Sequence, residues 1–131
     1  MSYYIAKTVS MPFDAAVAEV TERLKEQQFG VLSDIDVQAT LKAKIGVEFP
    51  KYRILGACNP RLAHEALRME ARLGVLLPCN VIVREAGDGT VEIAGVDPVA
   101  SLERTGNEAL RATAEQVRER LSAAIMRVGI S

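Results

Sequence analysis

The sequence predicts an α+β fold: a mixed β-sheet of about five strands with three main helices packed on one face, in a single compact domain over residues 1–131. Three observations carry this reading. Short runs rich in β-branched and aromatic residues alternate with stretches of helical period. The segment "AGDGT" (Ala86 to Thr90) separates two such runs and requires an antiparallel hairpin. The other runs are joined by helical stretches, which favour parallel crossovers.

Each element has its own signal. "YYIAKTV" (Tyr3 to Val9) reads as the first strand. Ser10 and Pro12 suit a helix start, and Phe13, Val17, Val20 and Leu24 then share one helical face up to Gly30. "VLSDIDV" (Val31 to Val37) is the second strand. Asp36 can cap a short helix carrying Val37, Leu41 and Ile45, closed by Gly46. "YRILGAC" (Tyr52 to Cys58) is the third strand. Asn59 as N-cap and Pro60 as first helical residue open a helix that turns Leu62, Ala66, Met69 and Leu73 inward and closes at Gly74. "CNVIVRE" (Cys79 to Glu85) and "VEIAGV" (Val91 to Val96) flank the hairpin loop, and Asp97-Pro98 breaks the run. A last helix covers about Asn107 to Val128, with Leu110, Val117 and Ala124 in one row and Ala114, Leu121 and Val128 in the next.

Sixteen basic residues stand against seventeen acidic ones, so no charge excess calls for nucleic acid or an anionic membrane. No apolar stretch approaches the ~20 residues of a spanning helix. The start, "MSYYIAKTVSMPFDAAV", lacks the pattern of a secretory signal. A cytoplasmic location is the resulting expectation, with both thiols reduced. Two cysteines 21 positions apart form neither a disulfide framework nor a zinc-finger spacing.

Those cysteines carry the candidate chemistry. Each is followed by asparagine and stands near a proline, in "LGACNP" and "LLPCNV". Cys58 precedes a helix N-cap, where unpaired amides favour a thiolate and lower its pKa. It is the candidate nucleophile or soft ligand; the alternative is a small side chain packed at a strand end. Cys79 shares a strand face with Val81 and Val83, and Asn80 points the other way with Ile82 and Arg84. Asn59 is accounted for by capping, whereas Asn80 either meets a ligand or ties down a loop. His64, the lone histidine, is a surface group or a base or ligand beside Cys58. Cys58, Cys79 and His64 make three candidate metal ligands, so a soft metal ion would need a fourth donor. Arg53 is a candidate for meeting an anionic ligand. Phosphate-loop, nucleophile-elbow and zinc-protease motifs are absent.

The stretches "VLSDIDVQATLKAKIGVEFPKYRILGACNPRLAHEAL" and "GVLLPCNVIVRE", with "VDP" after the hairpin, closely resemble the domain of unknown function 302 family over nearly the whole chain. The resemblance implies a compact α+β fold and a homodimer, and no established activity. It marks Cys58, Asn59, Pro60, Pro78, Cys79 and Asn80 as a signature.

Three functions remain open from the sequence. One is a binding module around the two Cys-Asn motifs for a soft metal, a sulfur species or a small organic anion. The second is a thiol-dependent redox or sulfur-transfer enzyme using Cys58 with Cys79 as resolving thiol, which requires Cα atoms within roughly 7 Å. The third is a structural or interaction protein in which both cysteines only pack.

Overall fold

Strand β1 (Tyr4–Val9) and strand β2 (Gly30–Asp36) form the two edges of a five-stranded sheet. Between them lie β3 (Tyr52–Cys58), β4 (Cys79–Gly87) and β5 (Thr90–Val96), in the order β1-β5-β4-β3-β2. These coordinates are a computed structural model that describes residues 2–130. The chain is an α+β domain, as its sequence predicts.

All four strand pairings are antiparallel, which corrects the expectation of a mixed sheet. The reason lies in where each connection returns. The crossover through α1 (Phe13–Glu26) does leave β1 and β2 pointing the same way, but three other strands separate them. The connections through α2 (Val37–Ile45) and α3 (Pro60–Met69) double back to the end of the sheet they left. A helix between two strands forces a parallel pair only when it carries the chain to the other end.

The main core lies on one face of the sheet. Leu55, Val81, Val83 and Ile93 meet Val20 and Leu24 of α1 and Leu121 and Ile125 of α5 (Arg111–Arg127). Burying each such side chain contributes about 1.5–3 kcal/mol relative to leaving it in water. Gly95 lets α5 approach β5 closely, because a Cβ there would stand 2.7 Å from Ile125 Cδ1. The face is covered by α1 and α5, whereas α3 packs against α5 and the neighbouring 3-10 turns. The third main helix therefore joins a second cluster of Ala66, Leu73, Leu102, Leu110 and Ala114.

Three further differences have local causes. The helix from Pro60 ends at Met69 rather than Gly74, and Leu73–Leu76 form a separate 3-10 turn, so Met69 stays exposed while Leu73 is buried. Asp97-Pro98 does more than break β5. Asp97 caps a short helix, α4 (Pro98–Leu102), accepting from the amides of Val99 and Ala100. Phe29 finds cover within the core, whereas Tyr3 and Tyr4 pack edge to face on each other and remain exposed.

The cap assignments around α2 hold: Asp36 accepts from Ala39 N at 2.9 Å, and Gly46 adopts a left-handed conformation. Yet α2 buries none of its residues. No helix among the described residues is long and apolar enough to cross a membrane.

Candidate functional site

The two hydrophobic clusters do not merge. Between them lies a cavity of about 330 Å³. Its walls come from four parts of the chain. Ala57, Cys58, Cys79 and Val96 contribute the end of the sheet. Leu62, Ala63 and Ala66 line it from α3, and Leu73, Leu77 and Pro78 from the segment that returns to β4. Pro98, Ser101 and Leu102 of α4 and Thr113 and Val117 of α5 complete the lining. Leu32, Leu67 and Leu76 also line it and are exposed, so they mark an apolar rim.

Local sequence chemistry builds each wall. Asn59 Oδ1 accepts from Leu62 N at 3.2 Å and fixes the start of α3, with Pro60 preset for the first turn. Asp97 is buried and holds α4 by accepting from Val99 N at 2.9 Å. Its second oxygen accepts from Arg118 Nε of α5 at 3.0 Å, so one carboxylate ties two walls together. A bulge in β2 between Val31 and Ser33 leaves Leu32 without a cross-strand partner.

Among the described residues no charged side chain lines this cavity. The polar groups in its wall are those of Asn59, Ser101 and Thr113, with the two thiols. Asn59 is only 6% exposed, and its Nδ2 has no hydrogen-bond partner among the described residues.

The sequence candidates separate into two groups. Cys58, Asn59 and Cys79 are brought together at the cavity. Ala57 pairs with Cys79 across β3 and β4, so Cys58 lies one position further along. Asn80, His64 and Arg53 do not join them. Asn80 is exposed on the other side of β4, as strand alternation requires. His64 is exposed on α3. Arg53 lies five residues back along β3, roughly 16 Å from Cys58 at the usual strand rise. Its Nε donates to Asp34 Oδ1 at 2.7 Å, and its second nitrogen contacts the other carboxylate oxygen. That hydrogen bond with Asp34 raises the Arg53 pKa and lowers that of Asp34.

Burial pushes the Cys58 pKa up. Burial, together with the nearby Cys58 charge, pushes Cys79 up to about 11. Desolvation opposes the thiolate at both sites. Among the described residues no three His, Cys, Asp or Glu side chains gather as a metal site, so Cys58, Cys79 and His64 do not form the expected trio.

The thiols are both free. Sequence reasoning missed Ser101 and Thr113. The capping pattern at Asp97-Pro98, of the same type as Asn59-Pro60, is the signal that places Ser101.

Comparison with known proteins agrees with this architecture. The sequence profile described as Domain of unknown function DUF302 matches residues 5–128. The crystal structure of an uncharacterized conserved DUF302 protein from Bacillus stearothermophilus is similar, with a TM-score of 0.91 and 29% identity over 98% of this chain and 99% of that one. No curated protein matches this sequence. The antiparallel sheet, the helical layer and the profile match over almost the full length place this chain in the DUF302 family.

Proposed function

We propose that this chain is a binding module for a small, neutral, largely apolar molecule held in the cavity between the sheet end and α3, α4 and α5. The observation that carries the reading is a space of about 330 Å³ with no charged side chain in its wall among the described residues. Well-packed interiors leave few voids larger than a water molecule. This volume falls in the range of small-molecule sites, roughly 300–1,000 Å³. The absence of Lys, Arg and His from the wall argues against an organic anion, and raised thiol pKa values argue against a thiolate nucleophile or soft-metal ligand.

The test is a fluorescence titration with N-phenyl-1-naphthylamine, a neutral fluorophore that brightens in apolar surroundings. Saturable binding is expected for the wild type and its loss for Ala63→Phe, which fills the space from α3. Equal binding by both proteins contradicts the proposal.

We further propose that the chain pairs with a second copy through its β2–α2 side. Leu32, Ile35, Ile45, Val47 and Phe49 are all exposed there, and α2 has no buried residue. An isolated helix of nine residues is marginal in water, so cover from another surface supports it. The free edge of β2 offers self-complementary pairing about a two-fold axis. Sedimentation at micromolar concentration is expected to give twice the chain mass; a monomer contradicts it.

A further inference from the structure

We infer that the mouth of the cavity is a docking surface for an anionic phospholipid bilayer, from which the cavity receives its apolar ligand. The docking goes beyond the cavity reading and stands on exposed side chains of its own; only the delivery of ligand rests on that reading.

Residues 67–76 join the end of α3 to the 3-10 turn at Leu73–Leu76. They leave four large apolar side chains in water: Leu67, Met69, Val75 and Leu76, with Val75 84% exposed. Leu67 and Leu76 line the cavity, so they stand where it opens. Val75 and Leu76 line a second, open groove, which meets the cavity at Leu73 and Leu76. Apolar side chains scattered singly over a surface are ordinary, whereas a run of them at the entrance of an apolar cavity marks a contact site.

Charge supplies the second half. The same groove is lined by Arg72 and Arg104, both exposed. Six other arginines of the chain pair with a carboxylate. Among the described residues Arg72 and Arg104 have no such partner. The acidic groups nearby are engaged or turned away. Glu70, the carboxylate of that groove, accepts from Asn107 Nδ2 at 3.2 Å. Glu103 pairs with Arg111 at 3.8 Å. Glu65 stands two positions before Leu67, nearly opposite it around α3. The near-even charge balance of the whole chain therefore conceals a cationic edge beside an apolar one.

Protruding apolar side chains flanked by guanidinium groups match the boundary of a bilayer. Hydrocarbon receives the first, and lipid phosphates accept forked hydrogen bonds from the second. A protein partner needs pockets shaped to Val75 and its neighbours; a fluid acyl layer does not. A neutral apolar molecule that suits the cavity also partitions into that layer, so source and site face each other.

The test is flotation with vesicles of phosphatidylcholine alone and of phosphatidylcholine mixed with an equal amount of phosphatidylglycerol. The wild type is expected to float with the mixed vesicles and to bind phosphatidylcholine alone about tenfold more weakly. Val75→Asp is expected to lose about tenfold in binding to the mixed vesicles. Arg72→Gln combined with Arg104→Gln is expected to lose about thirtyfold, at roughly fivefold per guanidinium. Ala63→Phe, which fills the cavity, keeps wild-type flotation and so separates docking from ligand binding. The chain has no tryptophan, so Val75→Trp adds a single reporter whose emission moves to shorter wavelength on adding mixed vesicles. Absence of flotation, flotation equal in all variants, or an unshifted emission overturns the inference and leaves the cavity reading standing. A wild type that floats but does not bind N-phenyl-1-naphthylamine in the absence of vesicles upholds the docking and overturns the cavity reading.

Discussion

Ala57 of β3 lies directly opposite Cys79 of β4 in their antiparallel register. That one pairing brings both Cys-Asn dipeptides to the same end of the sheet. It also explains why the motif occurs twice: one copy closes β3 before α3 departs, and the other opens β4 where the chain returns. The excursion between them, residues 59–78, supplies much of the cavity wall. The repeat thus marks the two ends of one loop-out.

Thiol reactivity follows from burial. Both groups are expected to alkylate slowly at neutral pH, with Cys79 showing an apparent pKa of about 11 when alkylation rate is followed against pH. The folded-state pKa exceeds the ordinary value of 9.0. The resulting stability is fully present below pH 9 and declines as pH rises towards 11, because the unfolded chain ionises first. Thermal melts over that alkaline window should fall more steeply for wild type than for Cys79→Ala.

Close packing at Gly56 gives a second expectation. A Cβ there would collide with the Ser33 hydroxyl oxygen and stand 2.8 Å from Pro78 Cγ. The serine can rotate, but the proline ring is held between Leu77 and the start of β4. Gly56→Ala is therefore expected to destabilise the fold by about 1–3 kcal/mol, read from urea midpoints. Gly30→Ala, at the neighbouring strand β2, meets nothing within 4 Å and serves as the control.

Capping at Asn59 supplies a third. Removing the oxygen that accepts from Leu62 N by Asn59→Ala is expected to cost about 1 kcal/mol, and Asn59→Ser less, because the neutral hydroxyl oxygen still caps. Equal losses for the two variants in denaturant melts would show that the amide nitrogen, not the cap, sets the stability.

Local chemistry made much of the fold legible. Asn59-Pro60 and the Asp36–Gly46 pair state helix boundaries that depend only on neighbouring residues. The alternation of Cys79, Val81 and Val83 likewise gave the buried face of β4. Strand direction was not legible in the same way. It depends on whether a connection doubles back, which is a property of distant packing and not of the helix itself. The site divided along the same line. Cys58, Asn59 and Cys79 sit where local signals meet a strand end, but the register that brings them together belongs to the β3–β4 pairing and is not written in either motif. The thiol pKa shifts are not written there either, because desolvation is set by α3, α4 and α5 closing over the strand ends.

The most direct measurement is methyl NMR during titration with N-phenyl-1-naphthylamine. If the cavity is the ligand site, the methyl signals of Leu62, Leu73 and Val117 shift and saturate together. Those of Val20 and Leu24, buried in the main core beneath α1, stay in place. Shifts confined to Ile35, Ile45 and Val47 on the exposed β2–α2 side, with the cavity methyls unmoved, would contradict the account.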